Sequence, residues 1–138
     1  MNLIKDGFKN EYSTESKRWK DVKSGFTHFG EGDIVFAKIT PCFENRKSVV
    51  LKKLENKIGA GTTELHVLRP YLQYLNSDYV LLFLKTELFI KNGVLSYTGT
   101  AGQQRISKDF VLKTYIPIPP RKEQDKIVNL LNNLFLLF

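Results

Sequence analysis

Cysteine, histidine, tryptophan and methionine are all scarce in this sequence: one, two, one and one of them in 138 residues. The single cysteine, Cys42, excludes an internal disulfide and suits a reducing setting. His28 and His66 lie far apart with no cysteine beside either, so no zinc-ligand spacing exists. Long apolar runs are missing as well. The C-terminal IVNLLNNLFLLF covers 12 residues and is interrupted by three asparagines, well short of the roughly 20 that span a bilayer. At the other end, MNLIKDGFKNEY contains no apolar stretch of a leader's length. These absences point to a cytoplasmic protein. There is no GxxxxGK[ST] loop for nucleotide hydrolysis and no Asn-Pro-Pro-aromatic motif for methyl transfer to a flipped base. Blocks of five like charges are absent too, which excludes a disordered charged arm.

What is present is an excess of positive charge. Twenty-one Lys and Arg against 14 Asp and Glu give a net +7, with 42% hydrophobic residues, ordinary for one folded domain. A basic domain of this size most often meets a polyanion, commonly nucleic acid. The excess is uneven. Lys38, Arg46, Lys47, Lys52, Lys53 and Lys57 are opposed only by Glu44 and Glu55, six minus two, or +4 within twenty residues.

Residues 1–30 are polar, punctuated by Gly7, Gly25 and Gly30, and read as loops with a short strand. GDIVFAKI (32–39), SVVLKKL (48–54) and TELHVL (63–68) read as strands, the last following a Gly-rich turn and ended by Pro70. Ser77 and Asp78 open a helix over about 77–92, with Val80, Leu81, Leu84 and Leu88 as its apolar stripe and Asn92-Gly93 as its stop. Ser107 caps a short helical turn, and TYIPIP (114–119) reads as an edge strand. Pro120 starts a last helix in which Ile127, Leu130, Leu131, Leu134 and Leu137 follow a 3-4 spacing. That seam either packs on its own domain or pairs with a helix elsewhere. The expectation is an α/β (α+β) domain with a curved mixed sheet and one main helix. Residues 1–119 form the recognition domain, and residues 120–138 begin a spacer or dimerisation helix.

Three segments in this order carry a family likeness: GDIVFAKITPCFENRK (32–47), IGAGTTELHVLRP (58–70) and TGTAGQQRISKDFVLKTYIPIPPRKEQDKIV (98–128). Together they resemble the target recognition domain of type I restriction-modification specificity subunits, over about residues 24–130. The resemblance implies recognition of one half of a split duplex DNA target, with spacer helices pairing as a coiled coil. It implies methyltransferase and restriction subunits as partners that carry the catalysis, with no cofactor or metal in this chain. Against that pattern the sequence carries a single recognition domain, shortened at its N-terminus, and a spacer helix of about four turns.

Candidate DNA contacts follow from residue chemistry. Lys38, Thr40, Asn45, Arg46 and Lys47 cluster around the TPCFEN turn. Arg and Lys suit guanine or phosphate, and Asn suits adenine or simply forms a turn. Thr62 and Thr63 donate to phosphate or start a strand. In the loop TGTAGQQRIS, Gly99 and Gly102 permit positive φ, and Thr100, Gln103, Gln104 and Arg105 offer donors to an anion or a base edge; the loop as a whole is expected to grip the DNA backbone while neighbouring residues read bases. The competing role for Arg105 is an ion pair with Asp109 that holds the domain together. Trp19, Phe26 and Phe29 stack on bases or belong to the core. A metal-dependent nuclease built on Asp33, Glu55 and Lys57 is the enzymatic alternative. A protein-interaction remnant pairing through Ile127, Leu130, Leu131, Leu134 and Leu137, as a homodimer or with another subunit, is the non-DNA alternative.

Overall fold

The computed structural model describes residues 1–136. Its centre is β2 (Ile34–Ala37), buried at every position because it lies between two strands and has both faces covered. This is why IVFA is a continuous apolar run without polar alternation. β3 (Ser48–Val50) and β5 (Leu65–Leu68) flank it in the order β3-β2-β5, both antiparallel, with Val35 opposite Val49 on one side and Val67 on the other. The α+β class holds, and within it every strand pairing among the described residues is antiparallel, where a mixed sheet was expected.

Alternation along β2 divides the core. Ile34 and Phe36 join Val50 against the helices, in a cluster with Phe43, Leu84, Phe89, Ile90 and Ile106. Val35 faces the other way, with Val49, Leu51, Leu65 and the N-terminal Ile4. Phe29 closes that second cluster from a separate two-stranded ribbon, β1 (Thr27–Gly30) with β4 (Ile58–Gly61). The IGAG stretch, read as a turn from its glycines, is therefore a strand. Its glycines make room for the Phe29 ring: a Cβ on Gly59 would sit 2.4 Å from Phe29 Cε2, and one on Gly61 3.2 Å from Cε1. A short helix, α1 (Trp19–Val22), precedes the ribbon.

The expected helix over 77–92 is two helices, α2 (Ser77–Leu84) and α3 (Glu87–Leu95). Thr86 divides them. Its hydroxyl accepts from Phe89 N–H and donates to Phe83 carbonyl, ending one helix and capping the next. The break turns Phe89, Ile90 and Gly93 inward and leaves Leu88, expected in the buried stripe, on the surface. Asn76, not Ser77, caps α2 by accepting from Asp78 and Tyr79 N–H. Asn92-Gly93 does not end α3, because Gly93 is where Phe43 presses against the helix, leaving no room for a Cβ. Ser107 caps α4 (Lys108–Lys113) as expected.

Residues 114–119 have no regular structure and pair with no strand among the described residues. Pro117 and Pro119 lack the N–H groups that a ladder needs at alternate positions, and Pro117 carbonyl instead accepts from the Tyr79 hydroxyl. α5 (Arg121–Phe135) then docks on α2. Its contact face is Gln124 and Val128, both buried, with Ile127, Leu131 and Phe135 half-buried. Gln124 accepts from Asn76 N–H and donates to the carbonyls of Tyr74 and Pro119, so a fully buried amide is satisfied three times. The seam is thus split. Leu130 and Leu134 point outward, 62% and 43% exposed, while Leu137 lies outside the described residues.

Candidate nucleic-acid interface

Three segments distant in sequence meet at the end of β2. Lys38 N–H donates to Glu64 carbonyl, Ile106 N–H donates to Lys38 carbonyl, and Thr40 N–H donates to Gln104 carbonyl. These bonds place 38–40, 62–64 and 98–106 side by side. Lys38, Thr40, Thr62, Thr63, Thr100, Gln103, Gln104 and Arg105 therefore belong to one region, of which Thr63, Thr100 and Gln103 are exposed. The loop is closed by a two-way backbone pairing of Thr98 with Arg105. Gly99 and Gly102 take φ of +110° and +80°, the left-handed conformations the loop needs to turn back within so few residues.

Arg105 is the best-defined side chain here, and its partner is Glu64, not Asp109. Nε donates to both Glu64 oxygens (3.0 and 2.8 Å), Nη2 to Oε1 (2.7 Å), and Nη1 to Gln103 carbonyl (2.8 Å). Asp109 pairs with Lys113. The guanidinium holds the Glu64 carboxyl below its ordinary range, and the carboxylate raises Arg105 in turn. Three of five N–H groups are committed, leaving two for an outside acceptor, with the charge largely offset by Glu64. Beside them, burial lowers His66, whose Nε2 meets Ile106 carbonyl at 3.2 Å. Thr40 donates to Glu44 Oε1 at 2.7 Å. Tyr97 hydroxyl and Glu44 Oε2 are buried without a hydrogen bond of ordinary geometry, and burial, then the carboxylate, raise the phenol. Thr62 hydroxyl accepts from Glu64 N–H, fixing the turn into β5.

The remaining candidates lie elsewhere. Arg46, at φ 60°, donates to Lys85 carbonyl and Glu87 and lies over the Phe8 ring at 4.7 Å. Lys47 donates to Ile4 carbonyl and pairs with Asp6. Lys47 fastens the N-terminal segment, and Arg46 ties the α2–α3 junction to the Phe8 ring with two of its five N–H groups. Asn45 is exposed, with its backbone in the turn, donating to Pro41 carbonyl and accepting from Gly7 N–H. Asp33, weighed as a metal ligand, is buried and saturated by Arg69 Nε and Nη2 (2.8 Å each) and Gly30 N–H, and the Arg69 bonds lower its carboxyl. Glu55 accepts from Ser16 at the surface. No group of three His, Cys, Asp or Glu among the described residues is placed to hold a metal, and no described helix is long and apolar enough to cross a membrane.

Two structural residues escaped the sequence reading. Lys85 is 1% exposed, its ammonium donating to the carbonyls of Gly7 (2.6 Å), Ser48 (3.0 Å) and Arg46 (3.1 Å). Burial pushes it down to about 8. Gln124 had a legible signal, since it sits four residues before Val128 and seven before Leu131 on one helical stripe.

Comparison with known proteins places the chain in a family. A family model described as the type I restriction modification DNA specificity domain covers residues 2–137. The chain is 49% identical over 128 residues to the type I restriction enzyme EcoAI specificity subunit of Escherichia coli, covering 93% of the chain and 22% of that protein. It is 45% identical over 137 residues to the EcoEI specificity subunit of the same species, covering 99% of the chain and 23% of that protein. The chain thus spans less than a quarter of these relatives. In fold it is similar to the crystal structure of an HsdS subunit from Thermoanaerobacter tengcongensis, with a TM-score of 0.77 at 18% identity over 96% of this chain and 34% of that one. A chain from a structural study of type I R-M complex assembly and conformational transition follows, at TM-score 0.59 and 20% identity, over 80% and 25%.

Proposed function

Because the chain belongs to the type I restriction modification DNA specificity domain family, we propose that it reads duplex DNA for a type I restriction-modification complex. On this reading it has no catalysis and no cofactor of its own, acts in the cytoplasm, and leaves methylation and cleavage to methyltransferase and restriction subunits. Residues 1–119 are the recognition domain and 120–138 the start of the spacer helix. The outward Leu130 and Leu134 are that helix's share of a partner or homodimer interface.

The observation that carries the reading is the convergence of 38–40, 62–64 and 98–106 at one end of the sheet. Hydroxyls and amides dominate there, and the one guanidinium is oriented by Glu64 with two N–H groups to spare. Amides and a forked cation are the groups that distinguish base edges in a major groove. Lys38 and the threonines suit phosphate, which fixes register without reading sequence. Asn45, Arg46 and Lys47 remain members of the proposed contact set from the neighbouring turn, the two cations with part of their charge offset by Glu87 and Asp6.

Selection of the protein on a randomised duplex library tests this. The expected outcome is enrichment of one short half-site, with Gln104→Ala or Gln103→Ala changing which base is preferred and Thr63→Ala weakening all sequences alike. No enrichment from the library, together with no salt-dependent DNA binding, would sink the proposal. Affinity for arbitrary duplex is expected in the non-specific range, about 10⁻⁴ to 10⁻⁶ M.

A further inference from the structure

Trp19 and Phe26 were weighed in the sequence as base-stacking or core residues, and neither is core: they are 53% and 43% exposed. Both sit on the segment that leads into β1. Trp19 stacks on His28 at 5.1 Å, and His28 Nε2 donates to Val22 carbonyl at 2.7 Å, so the short helix is folded back onto the ribbon. Around them are Arg18, Lys20 and Lys23, which have no ion-pair partner among the described residues. Asp21 is the one acidic residue between Ser16 and Glu31. Exposed rings among unpaired cations have a cost in water and little use within the fold.

The ribbon also fixes where this arm lies. Thr27 pairs with Gly61, His28 with Ala60. Gly61 is followed by Thr62 and Thr63 of the candidate interface, so Phe26, next to Thr27, comes to the edge of that interface, and the arm behind it lies on the adjoining ribbon at His28. We propose that the arm Arg18–Thr27 is a second DNA contact, gripping the duplex backbone beside the bases read at the 38–40, 62–64 and 98–106 cluster. Arg18, Lys20 and Lys23 neutralise phosphates, and Trp19 and Phe26 pack on sugar and base edges. The proposal rests on the DNA-reading assignment above. Duplex DNA is favoured over an acidic protein by this continuity and by the charge: the arm's cations add to an interface where Arg105 is largely offset by Glu64.

The test compares the chain with its triple variant Arg18→Gln, Lys20→Gln, Lys23→Gln by fluorescence anisotropy on a random 30-bp duplex, from about 50 to 200 mM salt. Each phosphate contact contributes about 0.9 to the slope of log affinity against log salt, so the variant's slope falls by about 2 to 3. Its half-site preference and thermal midpoint stay at the wild-type values. Trp19, the sole tryptophan, reports directly: saturating duplex reduces its acrylamide quenching at least twofold. If the wild type binds DNA and the variant keeps the same slope, or Trp19 stays equally accessible in the complex, the arm proposal is overturned while the DNA reading stands. If the wild type binds no DNA at all, both fall. Equal shielding of Trp19 by polyglutamate of matched charge would overturn the duplex assignment in favour of a general polyanion contact.

Discussion

Replacing Lys85 with methionine keeps most of the buried stem and removes the ammonium, so three carbonyls, of Gly7, Arg46 and Ser48, lose their donor together. A buried polar group left without its partner costs about 1–3 kcal/mol. Some relaxation of the Gly7 loop brings the sum to about 4 kcal/mol. The whole chain's stability, at about 0.05–0.15 kcal/mol per residue, is of the order of 7–20 kcal/mol. Lys85→Met therefore lowers the thermal midpoint by about 8–16 °C, at 2–4 °C per kcal/mol. Urea unfolding shows the same loss with an unchanged slope, because the surface exposed on unfolding is the same. The gap also depends on pH. Lys85 is held at about 8 in the folded chain against an ordinary 10.5, so between those values the unfolded chain binds more protons. Wild-type stability therefore rises with pH across that window relative to Lys85→Met, by up to about 3 kcal/mol. A midpoint within 2 °C of wild type refutes the carbonyl cage as a source of stability. A gap that stays flat from pH 7.5 to 10 refutes burial as what sets the lysine's charge and leaves the three carbonyls in control.

Gly59→Ala drives a Cβ into the Phe29 ring and is expected to cost about 1–3 kcal/mol by overpacking, with Phe29→Leu in the same chain recovering part of the loss in a urea titration. Glu64→Gln removes the charge that offsets Arg105, so the salt slope of DNA binding steepens by up to about one; a slope that becomes shallower would mean Arg105 needs Glu64 to reach the DNA at all. Leu130→Glu with Leu134→Glu should abolish any concentration-dependent dimer in sedimentation without changing the melting curve, since both side chains face outward; a wild type that stays monomeric at high concentration removes the helix-pairing proposal.

Several elements were legible because their signals are local. The β-branched and aromatic run in GDIVFAKI, bounded by Gly and Thr-Pro, reads as a strand, and it is β2. Ser107 and Pro120 mark helix starts through one hydroxyl acceptor and one missing N–H, chemistry that needs nothing distant. The TGTAGQQRIS loop was legible as a polar turn with two left-handed glycines. The reading failed where a neighbour far along the chain decides. Glycines in IGAG suggested a turn, yet they are small because Phe29 lies on them. A leucine at position 88 fits a helical stripe until Thr86 ends one helix and starts another.

The sequence by itself determined the class of the chain: a basic α+β domain whose three ordered motifs belong to one family, since charge and short-range spacing are properties of the string. Only the tertiary structure decided which cations are available. Arg46 and Lys47 look as free as Lys38 in a one-dimensional reading, but Glu87, Asp6 and two backbone carbonyls claim them. Asp109, four residues on, was the competing partner for Arg105 in the sequence, and the side chain is held instead by Glu64 across 41 positions. An ion pair is a contact between side chains brought together by the sheet, and its partner is chosen by distance in space.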